Sequence, residues 1–107
     1  MRSVVAQATE MRYANLNSAD LTGADLTGTD FRDATLWNTT LAGVVLTGAS
    51  VRDVTTIFLH GTPSVLPAGW KIVGGILFAP QINISYNNLV GFDLSGCNLA
   101  GANITAA

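Results

Sequence analysis

A spacing of five residues dominates this chain. From Ala14 to Asp53 it divides into eight consecutive blocks of five. The third residue of each block is large and apolar: Leu16, Leu21, Leu26, Phe31, Leu36, Leu41, Leu46 and Val51. The first is small or β-branched: Ala14, Ala19, Ala24, Thr29, Ala34, Thr39, Val44 and Ala49. The remaining positions are mostly Asn, Asp, Thr, Ser and Gly. A period of five matches neither the turn of a helix nor the alternation of a long strand. Within one block, however, the first and third residues share a face of an extended backbone. Each block therefore reads as a short strand with two inward side chains, followed by a corner. Gly23, Gly28, Gly43 and Gly48 fall at the fifth position. They suit a corner that requires positive φ, as in a type II turn.

A second run of the same period spans 82–106, centred on Ile84, Leu89, Leu94, Leu99 and Ile104. Its second positions are Asn83, Asn88, Asp93, Asn98 and Asn103. Ile82, Asn87 and Phe92 stand at its inward first positions, which implies a wider or bent array. An inward Asn87 needs hydrogen-bond partners. Between Val54 and Gln81 the period fails, and the second array resumes three residues out of phase. All three prolines, Pro63, Pro67 and Pro80, fall in this stretch. Leu66 to Trp70 reads as a loop and Lys71 to Phe78 as a hairpin, its apolar runs flanking a Gly74-Gly75 type I′ turn. Trp70 and Phe78 are read as cover for the core. At the other end, Ser3 to Ala8 either extends the first array or forms a short capping helix, with Val4, Ala8 and Met11 on one face.

Composition narrows the functional classes. The chain is 49% hydrophobic and 11% charged, with a net charge of −2. It can bury a core, which excludes disorder. Five basic residues do not make the clustered patch that nucleic acid demands. The single Cys97 excludes an intramolecular disulfide. No apolar run approaches the ~20 residues of a membrane span, and no long apolar leader follows the N-terminus. A cytoplasmic location is the default expectation. His60 and Cys97 lie far apart in different parts of the repeat pattern and make no metal-ligand or nucleophile–base set. No cofactor and no enzymatic activity are expected.

The blocks Ala19-Asp20-Leu21-Thr22-Gly23 and Ala24-Asp25-Leu26-Thr27-Gly28 spell Ala-Asp-Leu-x-x. With the other blocks of both arrays, they make the chain resemble the pentapeptide-repeat family. The resemblance implies an all-β fold, a right-handed quadrilateral β-helix with four blocks per coil. It implies one domain over 1–107: a first array at 14–53 (or starting near 4–9), an insert with a hairpin at 54–81, and a second array at 82–106. A twenty-residue coil stacks Arg12, Arg32 and Arg52, sets Asp33 and Asp53 beside them, and places Leu26 under Leu46. Asp20, Asp25 and Asp30 then lie on successive sides and diverge, and second-position Asn and Asp are expected to bond backbone at the corners.

Three readings of function arise for such a chain, and the third is disfavoured by its charge. The first is a non-catalytic structural or protein-binding scaffold. Its candidate interaction surface is Arg12, Arg32 and Arg52 with Asp33 and Asp53, read as a compensated charge ladder, and Trp37, read as either a contact or a lid against the insert. The second is a self-assembling subunit that stacks end to end into a homo-oligomer or filament through Asn103, Ile104 and Thr105. The alternative to that stacking is a chain cut from a longer solenoid. The third is a gyrase-binding DNA mimic, a role known for some family members. It requires a strongly acidic face, whereas seven acids here oppose five bases.

Overall fold

Blocks that bury two side chains each can satisfy their backbones only by lying against other blocks, because a strand edge left open in an apolar setting is costly. The computed structural model, which describes residues 10–85 and 87–105, solves this by stacking the chain on itself every twenty residues. Asn15 pairs in parallel with Thr35, Asp20 with Thr40, Asp25 with Val45, and Asp30 with Ser50. Four lines of pairing thus run through the stack, and each twenty-residue length between them is one rung. The bonding alternates in the manner of a parallel ladder. Leu26 N–H donates to Val45 O at 2.9 Å, and Val45 N–H donates to Ala24 O at 3.0 Å. Two parallel strands, β1 (Thr35–Trp37) and β2 (Thr55–Ile57), lie on the first line. No helix occurs among the described residues.

The inward positions are the ones the spacing predicts. Leu21, Leu26, Phe31, Leu36, Leu41, Leu46 and Val51 are buried, as are Ala24, Thr29, Ala34, Thr39, Val44 and Ala49. Leu26 and Leu46 sit on the same line, one rung apart. Corners of the first array are closed by bonds such as Ala24 N–H to Leu21 O, 2.9 Å. Positive φ recurs at every fifth residue from Tyr13 to Phe58 without a gap. Glycine holds four of these corners, while Asp33, Asn38 and Asp53 use their tolerance of the left-handed region. Where Asn or Asp holds the second position of a block, its side chain bonds the backbone two residues on. The Oδ1 atoms of Asn15, Asp20, Asp25, Asp30, Asn83, Asn88, Asp93, Asn98 and Asn103 all accept such an N–H.

The stacking continues into the stretch 54–81, where the five-residue spelling is lost. Thr55 pairs with Thr35, His60 with Thr40 and Val65 with Val45. Val54, Thr56 and Leu59 keep the inward burial. The chain departs from the lines only after Val65. From Thr55 to its next partner Asn83 is 28 residues (83 − 55), against 20 from Thr35 to Thr55. The surplus of eight is one block plus three residues, which accounts for the phase shift of the second array.

That surplus forms the antiparallel hairpin β3 (Lys71–Val73) and β4 (Ile76–Phe78), with positive φ at both Gly74 and Gly75, as a type I′ turn requires. Ile76, Leu77 and Phe78 are buried, and Phe78 meets Phe92 edge-to-face with centroids 6.2 Å apart. The hairpin and the loop before it lie between the third and fourth rungs. Leu59 N–H donates to Gly75 O at 2.9 Å, Lys71 Nζ to Asp93 O at 3.0 Å, and Asn98 N–H to Gly69 O at 2.8 Å. Trp70 is half-buried against the core. On the first line the rungs meet directly, from Asn15 through Thr35, Thr55 and Asn83 to Asn103. The segment Ser3 to Ala8 lies outside the described residues.

Candidate functional site

The repeating polar side chains are largely committed to their own backbone, so candidate surfaces must come from residues that break the repeat. Three surfaces qualify: the charged corner, the last rung, and a groove beside the first line.

At the charged corner, each arginine has an acid close by. Arg32 Nε and Nη2 donate to both carboxylate oxygens of Asp30, the shortest contact being 2.7 Å. Arg12 lies 3.4 Å from Glu10, and Arg52 Nε lies 3.8 Å from Asp53 Oδ2. Arg12 also sits 5.6 Å over the ring of Tyr13. The bonds from the Arg32 side chain hold the Asp30 carboxyl below its usual range, and the Arg32 amide adds to the effect. Asp33 and Asp53 occupy exposed positive-φ corners. Opposite charges alternate along this edge.

At the last rung, Leu89, Leu94 and Leu99 are only half-buried, and Ile104 is 57% exposed. Asn103 pairs with Asn83 below it, and its side chain caps the Thr105 N–H at 3.0 Å.

The groove, of about 520 Å³, runs beside the first line and draws residues from four rungs. Trp37, Ile57 and Phe58 supply its apolar surface, and Asn17, Asn83 and Asn87 are among its polar groups. Among the described residues no charged side chain lines it. Trp37 is held on two sides. Its backbone N–H donates to Asn17 Oδ1 at 3.0 Å, and its indole Nε1–H donates to Thr55 Oγ1 at 3.2 Å. Trp37 remains 49% exposed and Phe58 66% exposed. Trp37 therefore belongs with this groove and not with the arginines. Asn87, expected inward, is half-buried and lines the groove. The five-residue pattern alone does not single out Phe58. Its signal is an aromatic residue at a corner position otherwise held by small or polar residues and Tyr13.

His60 is exposed, with Nε2 2.6 Å from Asn38 Oδ1, and Cys97 is half-buried. Among the described residues no cluster of three or more His, Cys, Asp or Glu is placed to hold a metal ion. No helix there is long and apolar enough to cross a membrane.

The family model for pentapeptide repeats matches residues 9–48 and 81–107, with eight copies of the repeat. No curated protein and no solved structure matches the chain. The match covers more than half of the sequence and falls on the rungs with the regular corner bonds, so the fold is of the β-helix type, the role is that of a repeat scaffold, and the chain belongs to the pentapeptide-repeat family.

Proposed function

We propose that the chain is a closed, right-handed, four-sided β-helix that acts as a non-catalytic scaffold with side faces open to a protein partner. One observation carries this reading. Nine second-position Asn and Asp side chains are tied to backbone amides two residues away, which leaves regular faces and no convergent titratable groups. Pentapeptide-repeat proteins are generally non-catalytic, which agrees with it. Alternating charge at the arginine corner argues against the unbroken acidic face of a DNA mimic. The test is cross-linking mass spectrometry in the producing cell, comparing wild type with Arg32→Glu and Trp37→Asp at unchanged melting temperature. A cross-linked neighbour that disappears in one face variant supports the scaffold; identical cross-links in all three proteins reject it.

A second reading is self-association through the last rung, favoured by its half-covered leucines and by exposed Ile104. Unpaired strand edges template further pairing. A head-to-tail contact that does not close propagates into a filament. Light scattering over a concentration series should show mass rising for wild type and flat for Ile104→Lys. A strictly monomeric wild type rejects this reading.

A further inference from the structure

We infer that the groove beside the first line is a binding site for a neutral, linear, β-linked oligosaccharide. The inference goes beyond the scaffold reading and does not depend on a protein partner. Its first support is chemical. The groove joins aromatic and aliphatic surface from Trp37, Ile57 and Phe58 to carboxamides, with no charged side chain among the described residues. Ligand sites commonly combine a mostly apolar surface with a few placed polar groups. A pyranose has the matching surface: an apolar C–H face that stacks on an aromatic ring, and a rim of hydroxyls that both donate and accept. Carboxamides answer both roles, since each carries an acceptor oxygen and two donor hydrogens. An anionic ligand would find no counter-charge here.

The second support is the state of the polar groups. Most polar atoms near the corners are used internally. Asn38 bonds Ser18 and His60, and the Oδ1 atoms of Asn17 and Asn83 each accept a backbone N–H. Among the described residues, the Nδ2 groups of Asn17 and Asn83 and the whole carboxamide of Asn87 make no hydrogen bond. These three residues come from three different rungs yet line one groove.

The third support is preorganisation. The Thr55 hydroxyl ties the indole of Trp37 across two rungs, so the stacking surface is fixed before a ligand arrives. Phe58 presents its exposed ring from a backbone φ of 54°, a conformation that disfavours bulky residues. The same corner geometry recurs every five residues, so the fold itself fixes the place of this ring. The fourth support is length. Neighbouring rungs rise by about 4.8 Å, so the groove extends roughly 14 Å from the first rung to the fourth. Its straight course suits the extended ribbon of a β-linked glycan better than a coiled α-linked one.

The test is titration with cellohexaose and chitohexaose, followed through the indole N–H resonances of Trp37 and Trp70. Saturable movement of the Trp37 signal, with Trp70 unmoved, is expected. Trp37→Ala and Asn87→Ala should each weaken binding about tenfold or more, as measured by calorimetry. Phe58→Ala, at an exposed corner, provides a second groove variant if Trp37→Ala melts early. No response to either sugar at about 10 mM overturns the inference. Binding that survives all three substitutions also overturns it. Movement of the Trp37 signal with protein concentration alone would place a second copy in the groove and would equally overturn it.

Discussion

The hydroxyl of Thr56, buried at an inward position, accepts the backbone N–H of Leu77 at 2.9 Å. Thr56 occupies the position that large apolar residues hold in the first array. It joins the third rung to β4, whose own burial leaves that N–H no water. Thr56→Val keeps the shape and orphans the donor. The variant should lose about 1–3 kcal/mol in urea unfolding, the usual penalty for a buried group left unpaired. Thr56→Ser should retain more of the stability. A Thr56→Val protein as stable as wild type would show that the hairpin docks by packing alone.

Leu26 is fully buried between neighbouring rungs. Leu26→Ala should destabilise the protein by about 2–5 kcal/mol. Ile104→Ala, at the exposed last rung, should change the unfolding midpoint little. Equal effects at the two positions would contradict the stacking described.

Gly48 and Gly61 both have positive φ, 68° and 78°, but differ in their surroundings. A Cβ on Gly48 would lie 3.9 Å from its nearest neighbour, whereas one on Gly61 would lie 2.7 Å from Ala42 Cβ. Gly48→Ala should cost about 1–2 kcal/mol for the backbone conformation. Gly61→Ala should add about 1–3 kcal/mol of overpacking. Thermal melts of both variants check the order, and a milder Gly61→Ala would refute the close approach to Ala42.

The Asp30 carboxyl has a folded-state pKa below its ordinary 3.8, first because the Arg32 side chain bonds it. A depressed folded pKa means that this stabilisation is complete above pH 3.8 and is lost as the pH falls through the lower folded value. Arg32→Met should therefore melt slightly below wild type at neutral pH, and the gap should close in strong acid. The effect is small, since the pair is exposed to solvent. A carboxyl titration of Asp30 with its midpoint at or above 3.8 would refute it.

Much of the fold is legible in the sequence because the inward positions recur in fixed order. The positive φ at Gly23 and the type I′ turn at Gly74-Gly75 follow from local chemistry, whereas the Leu26–Leu46 pairing follows from the twenty-residue coil that the family resemblance implies. The persistence of the lines through Thr55, His60 and Val65 is hidden for a specific reason. In the first two of those blocks the third positions, which carry large apolar residues in the first array, hold Thr56 and Gly61, so the apolar signal vanishes while the backbone path continues. The groove is hidden more deeply. Trp37, Phe58 and Asn87 are distant in sequence: the twenty-residue rung brings Trp37 beside Ile57 and Phe58, and the 28-residue rung then carries Asn87 to the same groove.

The four lines of pairing are unequal, and this gives the molecule a mechanical grain. Direct rung-to-rung pairing from Asn15 to Asn103 binds one edge like the spine of a book. On the other three lines that pairing stops at His60, Val65 and Ser50, and the insert is wedged between the pages. Opening the fourth rung on that side breaks bonds to the insert, such as Asn98 to Gly69, and leaves the spine bonded. Amide exchange should accordingly be slowest along the spine and faster around Gly69 and Asn98. Trp37 and Asn83 lie on the bound edge, so the surface they share keeps its shape while the opposite margin opens and closes.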